Sequence, residues 1–411
     1  MKIVKIKDIG KVITGETPST KKPEFFGNKY PFITPSDIPS YDTYYVYKTE
    51  RGLSEKGYLN QKSKLLPPRT VCYVCIGSTV GKICLTKVPS FTNQQLNNII
   101  VDKEKFVPEY VYYRLRYETP RIQSIAGGTG SGKAIYNKTA FEEHQLEVHD
   151  DYNLQKKIAS VLSAYDDLIE NNTRRIQILE EMAQRIYQEW FVNFRFPGHE
   201  KVRFVSSELG KIPEGWEVVK LEDIIENVKE KTEPGEHLKN REYVPIDCIP
   251  RKSFLLLESQ DYTHAKSSLI LFNRKDILFG NMRSYFHKVI IAPFDGVTRT
   301  TCFVLRPRNK NYLSYAYLTL FNEKTVSYSA QHSKGSTIPY AVWEGGLAEM
   351  KIIMPSRKII DAFEKIISPI LEISINTFFK LRNLRTARDL LLPKLILGEV
   401  DVSNWEVVGG R

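Results

Sequence analysis

The sequence of 411 residues repeats itself, and this repeat limits the possible folds more than any single motif does. The opening segment Lys5–Ile9 recurs as Lys220–Ile224. Phe32–Ile38 is echoed by Tyr243–Ile249, since each is an apolar strand that breaks at a proline and an acidic turn. Two further pairs follow in the same order: Arg69–Tyr73 with Lys275–Phe279, and Gly130–Ile135 with Ser333–Ile338. An ordered repeat of this kind predicts two related domains in one chain.

A long helical stripe follows each half of the repeat. Its positions advance in alternating steps of four and three, which is the seam pattern of a coiled coil. The first stripe comprises Ile158, Leu162, Tyr165, Ile169, Asn172, Ile176, Leu179, Ala183, Ile186 and Trp190. The second comprises Ile359, Phe363, Ile366, Ile370, Ile373, Thr377, Leu381, Leu384 and Leu391. Two amphipathic helices packed on a globular core are the alternative, but residues 154–190 as one helix would extend roughly 55 Å, which exceeds an ordinary domain helix.

Connectivity predicts how the two helices pair. Proline and glycine residues between Arg195 and Trp216 mark a domain junction. The first helix therefore leads from the first domain to the second, and the second helix most simply runs back beside it. We predict an antiparallel pair, a C-terminus near the N-terminal domain and an approximate internal two-fold axis. Asn172 is a polar seam position that sets the register, faces a partner subunit or faces water.

The predicted fold class is α+β. It consists of two mixed α/β domains that are related by the internal repeat and separated by two long antiparallel coiled-coil helices. The predicted segments are a first domain at 1–150, a first helix at 151–195, a linker at 196–212, a second domain at 213–354, a second helix at 355–397 and a tail at 398–411.

Charge and composition restrict the partners and the compartment. A formal net charge of +11 favours a polyanionic partner such as nucleic acid or an anionic membrane, and serves solubility alone in the alternative interpretation. No apolar run is long enough for a membrane helix, and the N-terminus has no signal-peptide core, so we expect a cytoplasmic protein without a membrane partner. The five cysteines are expected to be reduced thiols.

Two motifs suggest chemistry that their surroundings do not support. Cys72 and Cys75 form a C-x-x-C, but they lie in a strand-like run whose period of two places them on opposite faces, so we expect no metal site. Gly127–Ala134 matches a phosphate-binding loop, but Ala134 stands where a magnesium-binding Ser or Thr is needed. A helix is also predicted before this loop instead of a strand. The loop is better interpreted as a flexible contact of Lys133 with a DNA phosphate, or as a plain connector.

Other catalytic motifs are missing from the sequence. We find no N-P-P-Y or D-P-P-Y segment for methylation of a flipped base, no glycine fingerprint for a methyl-donor cofactor and no convincing nuclease set. We therefore predict no catalytic residues in this chain, so that catalysis is borrowed from a partner or not performed.

Several segments together resemble one protein family, the specificity subunits of type I restriction-modification enzymes. Gln155–Asn172 is similar to the central helix of that family, and the resemblance extends over nearly the whole chain. The other similar segments are Gly77–Lys82, Thr92–Asn97, Phe194–Gly198, Ile212–Trp216 and Leu392–Val400. Within the last of these, Leu397 replaces the small residue that the family pattern has.

The resemblance implies a DNA-binding subunit without catalytic activity. Each domain would be a target-recognition domain that reads one half of a split, asymmetric site in double-stranded DNA. The half-sites would be separated by about one helical turn. The implied partners are two methyltransferase subunits docked on the long helices and two ATP-dependent nuclease-translocase subunits. S-adenosylmethionine, ATP and magnesium would be bound by those partners and no cofactor by this chain. The predicted subunit-interface positions are Ile158, Leu162, Tyr165, Asn172, Ile176, Leu179, Ile370, Leu381 and Leu384.

Candidate DNA contacts follow from side-chain chemistry within the matched segments. Arg and Lys bind guanine, Asn and Gln bind adenine, and Lys, Ser and Thr bind phosphates. In the first half the candidates are Ser78, Thr79, Lys82, Asn93, Gln94, Gln95 and Lys133. In the second half they are Arg283, Ser284, Tyr285, Lys288, Arg299 and Lys334. The alternative for the amides is a polar strand edge that satisfies its own loop, and for the lysines a solvated face.

Two other functions remain open from the sequence. One is a standalone sequence-specific DNA-binding protein or decoy of a defence system, which would bind DNA without partners. The other is an NTPase, which predicts ATP turnover that is lost on Lys133→Ala.

Overall fold

The computed structural model describes residues 1–127 and 134–405. The chain forms two compact units, which are Met1–Leu168 with the chain from Arg385 onward, and Ile169–Leu384. Each of the two long helices contributes to both units, because the unit boundaries fall inside them. The far end of the chain therefore completes the first unit, as the connectivity predicts.

The first unit contains a five-stranded sheet with the order β2-β9-β6-β7-β4, a three-stranded sheet with the order β5-β3-β8, and a separate β1-β10 pair. Its strands are β1 (Lys2–Lys5), β2 (Gly10–Thr14), β3 (Phe26–Ile33), β4 (Tyr45–Val46), β5 (Gly52–Leu53), β6 (Val71–Val74), β7 (Ile83–Thr86), β8 (Phe91–Thr92), β9 (Leu96–Val101) and β10 (Gln145–Val148). Its helices are α1 (Ile6–Ile9), α2 (Glu55–Asn60), α3 (Pro108–Gly127), α4 (Lys138–Glu143) and the start of α5 (Tyr152–Tyr187).

The second unit contains two four-stranded sheets with the orders β14-β21-β18-β19 and β15-β17-β20-β16, and three two-stranded pairs. Its strands are β11 (Phe204–Ser207), β12 (Gly210–Pro213), β13 (Glu217–Lys220), β14 (Ile225–Val228), β15 (Lys231–Thr232), β16 (Glu242–Tyr243), β17 (Leu269–Phe272), β18 (Ile277–Gly280), β19 (Val289–Ile291), β20 (Gly296–Arg299), β21 (Cys302–Pro307), β22 (Ser333–Lys334), β23 (Tyr340–Ala341) and β24 (Lys351–Met354). Its helices are α6 (Leu221–Ile224), α7 (Leu313–Phe321), α8 (Glu323–Gln331) and most of α9 (Arg357–Ile396). The predicted linker 196–212 is not plain coil, since it contains β11 and most of β12.

The two units share one topology, which confirms the repeat. Strands β2, β9, β6 and β7 occupy the same order as β14, β21, β18 and β19. In the smaller sheets, β3 pairs in parallel with β8 as β16 pairs with β20. The two units differ in one region, where the first has the single helix α3 and the second has the two helices α7 and α8. The break falls at Asn322, whose side chain caps α8 by accepting a hydrogen bond from the amide of Lys324.

Both faces of the central sheet are buried. In the first unit, Tyr73 and Cys75 join the core formed with α3, whereas Cys72 and Val74 join a second core with Ile33. The opposite orientation of the two cysteines is therefore confirmed. Burial raises the pKa of Cys75 to about 12, so its thiol stays protonated near neutral pH.

The long helices pair antiparallel within each unit, as the seam predicts. In the first unit, Ile158 near the start of α5 shares a core with Leu395 near the end of α9. In the second unit, Ile176 shares a core with Phe378, and the rings of Trp190 and Phe363 lie 5.7 Å apart. Within the part of the chain that the structure describes, we find no helix with the length and apolarity to cross a membrane.

The predicted stripe on α9 misses the buried face at several positions. Ile366 is 42% exposed, and its neighbour Ile367 is buried in its place. Leu391 is only half-buried, whereas Leu392 is buried. The buried face itself keeps a seven-residue spacing, and the prediction placed several of its positions one residue too early. The buried positions at this spacing are Ile360, Ile367, Ser374, Leu381, Arg388 and Leu395.

A buried ion pair occupies the seam between α5 and α9 in the first unit. Arg388 on α9 is 1% exposed and pairs with Asp166 on α5, which is 2% exposed. The second carboxylate oxygen of Asp166 accepts a hydrogen bond of 2.5 Å from the hydroxyl of Tyr113. Arg388 also contacts Asp42 at 3.1 Å and Asp389 at 2.9 Å. Every charge in this cluster therefore has a partner, which burial requires.

A buried carboxylate joins α5 to the second unit. Glu180 is 4% exposed. One of its oxygens accepts hydrogen bonds from the amides of Phe254 at 2.8 Å and Leu255 at 3.2 Å, and from the hydroxyl of Ser253 at 3.1 Å. Burial raises the pKa of Glu180 from 4.5 to about 7, because these donors only partly replace water around the anion.

We expect Arg388→Met to lower the free energy of unfolding by about 3–5 kcal/mol, because it leaves the buried Asp166 without its partner. Arg388→Met combined with Asp166→Leu should recover part of this loss, since no unpaired charge then remains at the seam. Urea titration of both variants measures the effect. Arg175→Met on the exposed face of α5 is the control, with an expected change within about 0.5 kcal/mol. A single variant as stable as its control would contradict the assignment.

We expect Glu180→Gln to change how stability depends on pH. Folded Glu180 retains its proton up to about pH 7, whereas the unfolded chain releases it near its usual pKa of 4.5. The wild type should therefore lose stability relative to the variant as pH rises through this range, by on the order of 3 kcal/mol in full. Unfolding at the two ends of the range measures the difference. The exposed neighbour Glu181 supplies the control Glu181→Gln, and parallel curves for all three proteins would refute the prediction.

Candidate nucleic-acid interface

Three segments meet at one end of the central sheet in the first unit. The hairpin loop, defined as Cys75–Lys82, follows β6. The entry loop, Asn93–Gln95, precedes β9, which lies beside β6. The amide of Cys75 donates to the carbonyl of Gln95 at 2.8 Å. The return segment, Ala134–Tyr136, is held by the amide of Gly77, which donates to the carbonyl of Ala134 at 2.9 Å.

The second unit builds the same end in the same way. Its hairpin loop is Asn281–Lys288, its entry loop is Arg299–Thr301, and its return segment is Pro339–Ala341. The amide of Asn281 donates to the carbonyl of Thr301 at 3.0 Å, and the amide of Arg283 donates to the carbonyl of Pro339 at 2.8 Å. Bridges join Ile76 to Ile135 and Met282 to Tyr340. Ile135 is therefore equivalent to Tyr340, and the sequence alignment that placed it opposite Ile338 was wrong by two residues.

The two hairpin loops share their backbone but not their side chains. Gly77 and Gly81 have φ of 106° and 98°, in the left-handed region. Arg283 and His287 stand at the equivalent positions with φ of 50° and 54°. Non-glycine residues in this region cost roughly 1–3 kcal/mol and cluster at functional sites. The second loop therefore has the same turn as the first at an energetic cost, and it carries the side chains of Arg283 and His287 where the first loop has glycines.

The first unit presents hydroxyl and amide groups. Ser78 and Gln94 are exposed, and Thr79 is half-buried. The hydroxyl of Thr17 donates to Gln94 at 2.6 Å. The side-chain amide of Asn93 donates to the side-chain oxygen of Gln95 at 3.0 Å, and the side-chain oxygen of Asn93 accepts from the backbone amide of Gln95 at 3.1 Å. These two amides match the alternative interpretation, a loop edge that satisfies itself. Lys133 lies outside the described residues.

The second unit presents uncompensated cations. Arg299 and Lys334 are exposed, Arg283 is half-buried and Tyr285 is 53% exposed. Among the described residues, the charged groups of these three cations have no hydrogen-bond or ion-pair partner. Ser284 is 3% exposed, and its hydroxyl oxygen also has no partner in the described part of the chain. A buried polar atom without a partner costs about 1–3 kcal/mol, so this arrangement suits a ligand that supplies the missing contact.

Lys82 and Lys288 do not face outward with the other candidates. Their ammonium groups donate to backbone carbonyls, at 2.6 Å to Ile38 and 2.7 Å to Ile246. Burial lowers the pKa of both lysines. Neither interpretation from the sequence, a phosphate contact or a solvated face, describes this placement.

The predicted subunit-interface positions need a similar revision, because most of them lie inside this chain. Six are buried: Ile158, Leu162, Asn172, Ile176, Ile370 and Leu381. The other three, Tyr165, Leu179 and Leu384, are half-buried. Buried seam side chains pack the two helices together and leave no surface for another subunit. On the outer face of α5, Ile178 and Met182 are 51% and 47% exposed.

Sequence reasoning missed two side chains at the second site. Tyr340 is 39% exposed and donates its hydroxyl hydrogen to the sulfur of Met282 at 3.4 Å. Asn281 is 5% exposed, and its carbonyl oxygen has no partner among the described residues. Tyr340 could not be found from the sequence, because it stands between Pro339 and Ala341 and forms no polar pattern with them. Asn281 could have been found, because it is the first residue after a buried strand.

The described residues give no support to a nucleotide or metal site. A phosphate-binding loop follows a strand, but the glycine-rich segment follows the 20-residue helix α3, which ends at Gly127. Across residues 1–127 and 134–405, no group of three or more His, Cys, Asp or Glu side chains is placed to hold a metal ion.

Comparison with known proteins places the chain in a family. Residues 1–181 and 213–386 match the family model of the type I restriction modification DNA specificity domain, once in each half. The chain is 33% identical to the MjaIX specificity subunit of a type I restriction enzyme from Methanocaldococcus jannaschii, over 97% of this chain and 93% of that protein. It is 31% identical to the HindI specificity subunit from Haemophilus influenzae, over 44% of this chain and 39% of that protein.

A solved structure shares the fold. The S subunit of a type I restriction-modification system from M. genitalium superposes with a TM-score of 0.59 and covers 96% of both chains. Its identity to this chain is 15%, so it supports the architecture alone. The family match over both halves and the full-length relative together show that this chain belongs to the type I restriction-modification DNA specificity subunits.

Proposed function

We propose that this chain reads a bipartite, asymmetric site in double-stranded DNA, one half with each unit, and positions methyltransferase and nuclease subunits on it. The observation that carries the proposal is the duplicated loop cluster. One backbone arrangement recurs at the end of each central sheet, but it displays Ser78 and Thr79 in one unit and Arg283 and Tyr285 in the other. The same backbone arrangement with different side chains suits two half-sites of different sequence.

Electrostatics support a polyanionic ligand. The chain has a net charge of +11, and the second cluster holds Arg283, Arg299 and Lys334 without acidic partners among the described residues. Arginine reads guanine through two parallel hydrogen bonds, and lysine neutralises phosphates. Ser, Thr and Gln at the first cluster supply donors and acceptors that match adenine edges and backbone oxygens.

The helices supply the surface for protein partners. Arg175, Ile178 and Met182 lie on the exposed face of α5, which combines basic and apolar groups. We propose two methyltransferase subunits on the helices and two nuclease-translocase subunits in the full complex. In this arrangement S-adenosylmethionine, ATP and magnesium are bound by those partners, this chain performs no catalysis, and the complex works in the cytoplasm.

Co-expression with a candidate methyltransferase subunit tests the proposal. Single-molecule sequencing of host DNA would then map methylated adenines. We expect methylation at one bipartite motif, and its loss when this chain is deleted. A stable complex that methylates without any motif would overturn the reading role, and failure to form a complex would overturn the subunit assignment.

Variants at the second cluster should alter only one half of that motif. We expect Arg283→Ala to weaken discrimination at one base pair by about 1–3 kcal/mol, because a bidentate contact is removed. The other half of the motif should remain as in the wild type. Lys310→Ala is a control at the opposite end of β21, where the lysine is exposed and far along the strand from the loops. Equal relaxation of both halves would contradict the assignment of one half-site to each unit.

A further inference from the structure

A fourth segment reaches the same end of the sheet in each unit. In the first unit it is the turn Pro35–Ile38, which follows β3. Parallel pairing of β3 with β8 carries this turn toward the entry loop, and the amide of Asn93 donates to the carbonyl of Ile33 at 3.2 Å. We call Pro35–Ile38 and its counterpart Ile246–Ile249 the clamped turns.

The second unit repeats this placement. The clamped turn Ile246–Ile249 follows β16, which pairs in parallel with β20. The hydroxyl of Thr298 donates to the carbonyl of Val244 at 2.7 Å, directly before Arg299 of the entry loop. Each clamped turn therefore lies beside residues that the proposed function assigns to DNA.

One lysine in each unit fastens the clamped turn to the hairpin loop. Lys82 donates to the carbonyls of Ile38 at 2.6 Å and Pro35 at 3.4 Å. Lys288 donates to the carbonyl of Ile246, the residue equivalent to Pro35, at 2.7 Å. The backbone carbonyls of both lysines also accept from the last residue of the preceding strand, at 2.8 Å from Val74 and from Gly280. Each lysine thus closes its own loop and holds the neighbouring turn.

The lysine contact recurs in both units although the residues around it differ. The residue before Lys82 is Gly81, and the residue before Lys288 is His287, yet both ammonium groups reach the first carbonyl of the clamped turn. An ammonium group shared with backbone carbonyls is already partly desolvated, which agrees with the lowered pKa of both lysines. Moving Lys82 to a DNA phosphate would take its hydrogen bond from the buried carbonyl of Ile38, and moving Lys288 would leave the carbonyl of Ile246 with the amide of Ile249 at 3.2 Å.

Each clamped turn exposes one polar side chain at its second position. These are Ser36 in the first unit and Asp247 in the second. A carboxylate is repelled by phosphates, but it can accept a hydrogen bond from the exocyclic amino group of cytosine. An exposed acid at this place therefore suits a base edge better than a backbone contact.

We propose that the clamped turns are a fourth recognition segment in each unit, with Ser36 and Asp247 as specificity-determining side chains and Lys82 and Lys288 as positioning residues. This inference rests on the proposed function. It assigns the two lysines to the geometry of the site instead of to phosphate binding.

The salt dependence of DNA binding separates the two roles of lysine. The complex with the methyltransferase subunit would be titrated with a duplex that carries the mapped motif and with one altered in a single half. Loss of a phosphate contact lowers the slope of log affinity against log salt by about 1. We expect Lys288→Met to leave this slope unchanged and to reduce discrimination in one half-site by roughly 5- to 100-fold. Lys334→Met is the matched variant and should lower the slope.

Conservative variants and Lys82 complete this test. Lys82→Met should reduce discrimination in the other half-site. Lys82→Arg and Lys288→Arg should retain more discrimination than the methionine variants, because arginine can also donate to carbonyls. A slope that falls by about 1 with discrimination intact would overturn the positioning role. Thermal unfolding of each variant identifies loss of folding, and in that case the turn variants decide.

The exposed turn residues give the second measurement. Asp247→Asn turns an acceptor into a mixed donor and acceptor at a solvent-exposed position, so folding should be preserved. We expect a changed base preference in one half of the methylated motif, and Ser36→Ala should relax the other half. Unchanged motifs for both variants would overturn the inference. Failure of the wild-type complex to show any motif would instead overturn the proposed function itself.

Discussion

The guanidinium group of Arg388 anchors the far end of the chain in the first unit through its ion pair with Asp166. Leu392, Leu395 and Ile396 supply apolar area to the same core, but aliphatic contacts tolerate sliding of one helix along another. The pairing of Arg388 with Asp166 does not, because a shift by one turn would leave two buried charges unpaired at several kcal/mol each. The ion pair thus fixes the register in which α9 meets α5, and the apolar residues supply the stability.

Two matching loop clusters result from one way of building a sheet end. Loops that leave and enter adjacent strands must meet, and the hydrogen bonds from Cys75 and Asn281 to the entry loops hold them at matching distances. Below the loops, both faces of the sheet are buried, so the frame is rigid. Exposed side chains above it, such as Ser78 and Tyr285, can differ between the units without disturbing the cores. One backbone frame with different exposed side chains is what the proposed reading of two different half-sites requires.

The repeat and the opposite faces of Cys72 and Cys75 could be predicted because each is a periodic signal in the sequence. The antiparallel helices could be predicted from the helical stripes together with the order of the segments along the chain. The buried position of Arg388 could not be predicted, because a helix seam is recognised in a sequence by its apolar residues and a charged residue does not fit that pattern. The direction of Lys82 and Lys288 was missed for another reason. A lysine reveals its charge in the sequence, but the carbonyls that it binds come from a turn more than 40 residues away in both units. Only the tertiary structure brings them together.

The left-handed positions of the hairpin loops give the two halves different routes of evolutionary change. Gly77 is restricted to glycine, because any side chain would carry the conformational penalty and a Cβ would meet Gln95 at 3.3 Å. Arg283 already carries that penalty, which is lower for asparagine and aspartate and higher for β-branched residues. Position 283 can therefore exchange arginine for another residue that tolerates this conformation, and under the proposed function such single substitutions would give the second half new sequence preferences. The first half must seek them elsewhere along its loop.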